Sequence, residues 1–198
     1  MTRAELEHAI RAACDVAEDD QVYVFGSQAI LGQFPDAPES LRQSAEAVIA
    51  PVKADDGNTA DVIDVNLGEL SAFHAAFGFY VHAVSVETAV LPDGWRDRAV
   101  AVRNDNTRNN TGWCLEAHDL AVSKLVAFRE KDRDFVRTLL VEKLVDPQKL
   151  EQRLRQLPAH PQVTPTLVKV IEGWLGGVLR DIRGGGVSFA ARTARATP

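Results

Sequence analysis

Only two of the 198 residues are cysteine, Cys14 and Cys114. That scarcity excludes the disulfide framework of a small secreted domain and any cysteine-based zinc spacing, so a reducing compartment is the default. No apolar run approaches the length needed to cross a bilayer, and the opening Met1-Thr-Arg-Ala-Glu lacks a signal-peptide core. A cytoplasmic protein with no membrane contact is therefore expected. Positive charge is in short supply too: 22 Lys and Arg stand against 28 Asp and Glu, for a net charge of -6. Such a balance argues against broad, sequence-independent DNA binding, which draws on a basic face. It leaves room for a local basic groove that receives a nucleotide or an RNA end. No internal repeat is visible. What is present is ordinary globular composition, 45% hydrophobic and 25% charged, in a length suited to one substantial core.

The most informative stretch is Val22-Tyr-Val-Phe-Gly-Ser-Gln-Ala-Ile-Leu31. Its β-branched and aromatic run reads as a buried strand that passes through Gly-Ser into a helix. Gly26 permits a tight turn, and Ser27 falls where free helix N–H groups favour a phosphate. Many turns of this kind bind nothing. Before it, residues 2–18 read as a helix with Thr2 as N-cap and Glu5 closing a capping box. After it, a helix from Gln28 is stopped by Gly32, Ser40 to Ser44 gives a helical turn, and Ala47 to Ala50 a short strand. Asp61 to Leu70 and Ser71 to Phe77 read as helices. Phe79 to Val84, Thr88 to Leu91, Ala99 to Val102 and Trp113 to Leu115 read as strands, with Pro92-Asp93-Gly94 as a turn between two of them. Lys53 to Asn58 and Asn104 to Thr111 read as loops. From Ala117 the pattern is helical, over 117–129, 131–144, 147–157 and 164–180. The expected fold is α+β: a mixed β-sheet with flanking helices over 1–116, a helical part packed on it over 117–182, and a flexible tail over 183–198.

Three segments, in order, carry a family resemblance. They are Gly26-Ser27-Gln28-Ala29-Ile30-Leu31, Ser44-Ala-Glu46-Ala-Val48, and His118-Asp-Leu-Ala-Val-Ser-Lys124 with its continuation to Arg129-Glu-Lys131-Asp132. Together they resemble the minimal nucleotidyltransferases of bacterial toxin–antitoxin and abortive-infection systems, over residues 20–145. The resemblance implies a nucleotidyltransferase-like sheet and a toxin-type enzyme that moves a nucleotide from a nucleoside triphosphate to RNA or protein with Mg²⁺. It implies a cognate antitoxin protein as a partner. In that scheme Gly26 and Ser27 bind the triphosphate, Lys124 and Lys131 steady its phosphates, Glu46 holds the metal, and Asp132 completes the site. Glu46, Lys124 and Asp132 are the catalytic candidates.

One position departs from the pattern. Alternate residues of a strand share a face, so an acid-x-acid strand offers two carboxylates to one metal. Glu46 fills the first acidic position, but the second is Val48, which ligates nothing. Either another acid such as Asp61 or Asp64 stands in, or the chain is a catalytically degenerate nucleotide- or RNA-binding or partner protein of the same fold.

Each candidate also has a plainer reading. Glu46 can be a surface carboxylate at a strand edge, and Asp64 part of a solvated helix face. Lys124 shares a helix side with Ser123, Ala127 and Lys131, either as a basic stripe suited to phosphate or as a solvent edge. Asp132 follows a break between helices, where capping is its commonest task. His74, His82 and His118 lie on separate elements with no metal-ligand spacing. Ser27 has no G-x-S-x-G elbow to make it a hydrolase nucleophile. Trp95, Trp113 and Trp174 read as packing residues.

Overall fold

Helix α1 (Arg3–Ala17) begins with the box its sequence encodes: Thr2 Oγ1 accepts the Glu5 N–H at 3.2 Å, and Glu5 Oε2 accepts the Thr2 N–H at 2.6 Å. Leu6, Ala9, Ile10 and Ala13 bury its apolar side completely. That side covers a five-stranded sheet in a computed structural model that describes residues 1–53 and 58–184.

The strands are β1 (Gln21–Phe25), β2 (Glu46–Pro51), β3 (Tyr80–Ala83), β4 (Val100–Val102) and β5 (Thr111–Cys114), in the order β3-β2-β1-β5-β4. β1 runs antiparallel to β2 and parallel to β5; β2 is parallel to β3, and β4 antiparallel to β5. The register pairs Phe25 with Val48, Glu46 with Tyr80, and Val48 with His82. Because side chains alternate along a strand, Val22, Val24, Ala47, Ile49 and Val81 fall on one face. All are fully buried there, under α1 and α3 (Asn58–Leu67). Phe25, Glu46, Val48 and His82 fall on the other face, which is the one left open for function.

The remaining helices are α2 (Ile30–Gln33), α4 (Ala72–Phe77), α5 (Trp95–Arg98), α6 (Ala117–Ala127), α7 (Glu130–Val141), α8 (Pro147–Leu154) and α9 (Pro165–Arg183). Ser71 caps α4 at its start and Gly78 closes it, as the sequence predicts. Asp146 and Thr164 cap α8 and α9, each with proline in the first turn. Helix α6 packs against α2, α7 and α8. The architecture is the α+β one expected: a mixed sheet with flanking helices, followed by C-terminal helices.

Several elements differ from expectation for identifiable reasons. Gly32 does not stop the second helix, which runs through it to Gln33. A Cβ at Gly32 would sit 2.5 Å from Cys114 Cβ, so this glycine lets α2 approach β5 closely. Thr88 to Leu91 is not a strand; β3 is the sheet edge, and the chain leaves it through a 3₁₀ turn at Val86–Thr88. Val90 and Leu91 are buried without pairing, and Pro92-Asp93-Gly94 leads into α5 rather than into a second strand. The Asn-rich loop holds a 3₁₀ turn, Asp105–Thr107, tied to α1. Glu7 accepts from Asn104 Nδ2 and Asn106 Nδ2, each at 2.8 Å. Arg183, expected in the tail, ends α9. The tail beyond Gly184 and positions 54–57 of the loop at 53–58 lie outside the described residues. Among the described residues no helix is long and apolar enough to cross a membrane.

Candidate functional site

The site begins where β1 ends. Gly26 adopts φ 65° and ψ -172°, backbone that favours glycine. A Cβ there would also lie 2.8 Å from Val48 Cγ2 on the neighbouring strand. Ser27–Ala29 then form a 3₁₀ turn that runs into the four residues of α2. This helical run is too short to develop much macrodipole, so what the turn offers a phosphate is its backbone N–H groups and the Ser27 hydroxyl. Gln28 is buried and its Nε2 donates to Ser44 O at 3.1 Å, tying the turn to the entry of β2. Ser44 Oγ in turn accepts the Glu46 N–H at 3.1 Å. Two local hydrogen bonds thus fix where Glu46 stands relative to Gly26 and Ser27.

The facing wall comes from α6 and α7. The sequence suggests one helix side carrying Lys124 and Lys131; instead α6 ends at Phe128, whose φ of 51° is left-handed, and Lys131 is the second residue of α7. Asp132 is not a cap. Arg129 occupies the N-cap position of α7, and the fully buried Asp132 carboxylate is gripped by two cations. Arg129 Nε donates to Oδ2 at 2.6 Å, and Lys124 Nζ lies 3.2 Å from Oδ1. The Lys124 side chain is only 13% exposed and its ammonium lies 5.3 Å from the centre of the Phe135 ring. Burial lowers the Lys124 pKa, with Asp132 opposing that fall. For Asp132, burial alone would raise the pKa, but hydrogen bonds and charge from Arg129 and Lys124 outweigh it and hold the carboxyl below its ordinary value. The hydrogen bond to Asp132 raises the Arg129 pKa, and Glu46 across the cleft adds to the effect.

Between the turn and this wall lies a cleft of about 1260 Å³. Gly26, Ser27, Glu46, Val48, Lys124 and Lys131 all line it, with Arg129 and Asp134 beside them. Its far end is reached by Pro161, Gln162 and Thr164, just before α9. Asp132 stands behind Lys124 and Arg129 rather than on the surface of the cleft. Six of the seven residues singled out in the sequence meet here, Val48 among them, and the seventh supports two that do. Arg129 was not singled out, although its spacing of three from Asp132 on a helix marks such a pair. His82 was set aside with the other histidines; its position, opposite Val48 in the register, becomes legible only once β2 and β3 are paired. A smaller crevice of about 220 Å³ between α8 and α9 has none of these features.

The donor set does not fit a metal held by the protein alone. Glu46 has Val48 where a second carboxylate belongs, and Val48 does face the cleft. Asp64 does not stand in, because its Oδ1 accepts the Ala83 N–H at 2.7 Å at the sheet edge. Among the described residues no three His, Cys, Asp or Glu side chains gather closely enough to ligate an ion.

The N-terminal end of α6 holds a second set of charges, and it is closed. Asp119 is fully buried and accepts from Arg98 Nε at 2.8 Å and Arg98 Nη2 at 3.0 Å; Arg153 Nε lies 3.2 Å from its Oδ1 as an ion pair without a hydrogen bond. Glu116 caps the helix by accepting the His118 N–H at 3.0 Å, meets His118 Nδ1 at 2.6 Å, and lies 3.4 Å from Lys149 Nζ. The Asp146 N–H donates to His118 Nε2 at 2.9 Å. Burial would raise the Glu116 pKa, but these bonds and charges bring it down to about 2.

A Gly-Ser turn between antiparallel strands, an acidic position on the second strand and a cationic helix across a cleft define a nucleotidyltransferase-like fold. The chain belongs to the family described as nucleotidyltransferase of unknown function (DUF6036), whose sequence profile matches residues 4–160. That span holds the whole sheet, most of the cleft, helix α1 from its second residue and helices α2 to α8, and α9 lies beyond it. No curated protein and no solved structure matches the chain.

Proposed function

We propose that the cleft binds a nucleoside triphosphate and transfers its nucleotidyl group to a hydroxyl on RNA or protein. The observation that carries this reading is the convergence of Gly26, Ser27, Glu46, Lys124 and Lys131 on one cleft. The turn supplies N–H donors for phosphate oxygens, and the α6–α7 wall supplies cations for the charge on the departing pyrophosphate. Lys124 and Arg129 are held in place by Asp132, so they need little reordering when the phosphates arrive. Mg²⁺ is proposed as the counter-ion of the triphosphate, with Glu46 as its single protein carboxylate. The resemblance to toxin-type enzymes supports a setting in which a cognate antitoxin restrains the activity.

Val48 favours a second reading, in which the same cleft binds a nucleotide or an RNA end and transfers nothing. Two measurements separate the readings. Calorimetric titration with ATP, CTP, GTP and UTP, with and without Mg²⁺, reports binding; release of pyrophosphate in the presence of total RNA reports transfer. Binding with release supports the enzyme, and binding alone supports the degenerate protein. No binding of any triphosphate removes the enzyme and the nucleotide binder, and no retention of RNA either removes the second reading whole.

A further inference from the structure

The register across β2 and β3 places His82 directly beside Val48, on the cleft face and one alternation away from Glu46. His82 lines the cleft, and its side chain is 50% exposed. It is not a free surface group. Its Nδ1 lies 3.6 Å from Asp64 Oδ1, and that carboxylate is fixed by the Ala83 N–H at 2.7 Å. At that separation Asp64 makes no hydrogen bond to the ring, but its fixed carboxylate occupies the Nδ1 side of the imidazole. With Nδ1 turned towards Asp64, Nε2 on the other side of the ring is the nitrogen left for a ligand. The cleft thus has an imidazole backed by a carboxylate beside the position where the second carboxylate is missing.

We propose that His82 is the general base of this cleft: its Nε2 takes the proton of the acceptor hydroxyl. The hydroxyl oxygen bonds to the α-phosphorus of the triphosphate as the bond from that phosphorus to the α–β bridging oxygen breaks. Pyrophosphate leaves with the bond electrons against the Lys124, Arg129 and Lys131 wall, and the proton stays on His82 until solvent removes it. The assignment rests on the reading of the cleft as a nucleotidyl-transfer site and names the group that does its proton chemistry.

The test compares wild type with His82→Gln and His82→Ala, both at a half-exposed strand position where the fold tolerates change. Triphosphate affinity is read by calorimetry, and transfer by pyrophosphate release with total RNA as acceptor. Affinity should change by less than about threefold while the transfer rate falls by about 10²-fold or more, the usual size of a general-base contribution. Added imidazole should restore part of the rate of His82→Ala, which a merely structural role would not allow. Transfer at the wild-type rate in His82→Gln overturns the assignment and leaves the cleft reading standing. A wild type that binds triphosphate but transfers nothing overturns it too, in favour of the binding protein. A wild type that binds no triphosphate removes the cleft reading, and the role of His82 falls with it.

Discussion

Helix α6 carries acid–base clusters at both ends, and the clusters differ in what is left over. At its N-terminal end Asp119 meets Arg98 and Arg153; towards its C-terminal end Lys124 shares Asp132 with Arg129. Each group sets two cations against one buried carboxylate, so charge counting does not distinguish them. What the cations face does. Arg98 spends a further N–H on Asp93 O at 3.0 Å, and Arg153 spends one on Gln156 Oε1 at 2.9 Å. Both arginines are held inside the fold and neither lines the cleft, although Arg153 Nε, 3.2 Å from Asp119 Oδ1, is buried without a hydrogen bond. Lys124 and Arg129 instead line a cleft, and Lys131 joins them there with an exposed side chain. The lesson is that a site is marked by cations that face a cleft rather than by charge itself.

The contrast predicts unequal costs when the central carboxylate is removed. Asp119→Ala strands two largely buried arginines and should cost about 3–5 kcal/mol, the usual penalty for breaking a buried pair. Asp132→Ala should cost less, because the Arg129 side chain is 60% exposed and can turn to water, so that only Lys124, 13% exposed, is left buried without its partner. Guanidinium unfolding midpoints for the two variants give the comparison directly, and equal losses would break it.

Acid sharpens the same distinction from the side of the closed cluster. The Glu116 pKa lies at about 2 in the fold against an ordinary 4.5. A depressed carboxyl pKa contributes stability that is full above the unfolded value and is lost as pH falls through the folded one. That contribution is on the order of 3 kcal/mol at neutral pH. It should disappear between about pH 4.5 and pH 2. Glu116→Gln should be less stable than wild type at pH 7 and should lose less on acidification across that window. Urea unfolding at half-unit pH steps reads the difference.

Much of this contrast was legible before any coordinates, and the illegible part has a physical reason. The Thr2–Glu5 box, the β1 strand, the Ser71 and Gly78 boundaries and the Gly-Ser turn are local events, determined within four or five residues. Lys124 stood out because a lone cation among apolar helix residues needs a purpose. What failed was long-range or depended on a single backbone angle. The break expected between 129 and 131 falls at Phe128, a left-handed residue that no glycine announces, and the side expected to carry both Lys124 and Lys131 does not continue through it. Asp132 looked like a cap because its partners, one of them eight residues back, lie on both sides of that break. Thr88 to Leu91 has the composition of a strand, but the 3₁₀ turn at Val86–Thr88 leads the chain off the β3 edge, and Val90 and Leu91 are buried by packing rather than by pairing. His82 became meaningful only through its register with Val48.

At the open cluster the expected effects are on binding. Lys124→Ala removes a cation already held in place, and a hydrogen bond to a charged group is worth about 1.5–3 kcal/mol. Triphosphate affinity should therefore fall by about 10- to 100-fold. The fold should survive, since Asp132 keeps Arg129. Calorimetry showing unchanged affinity in a folded variant would take Lys124 out of the site and erase the difference between the two ends of α6.

The smallest effect concerns Val48, where the open cluster lacks an acid. Val48 is half-buried on the cleft side, with Phe25 and His82 as its cross-strand neighbours. Aspartate is no larger than valine, so Val48→Asp fits the space over Gly26 and turns its carboxylate to the same side as Glu46. A second carboxylate should strengthen the Mg²⁺-dependent part of triphosphate binding, because this ion takes one or two protein carboxylates along with the substrate phosphates. The gain is limited: two carboxylates on one strand face also repel each other when no ion is bound, and the valine packing is lost. The expected improvement is at most about tenfold, or ~1.4 kcal/mol. Without Mg²⁺ the variant should bind triphosphate more weakly than wild type, since the new charge faces the phosphates. Paired titrations with and without Mg²⁺, with a melting curve for each protein, measure both signs at once. A folded variant with no gain in metal dependence would show that a carboxylate at this position is not what limits the cleft, and the degenerate-binder reading would lose its motive.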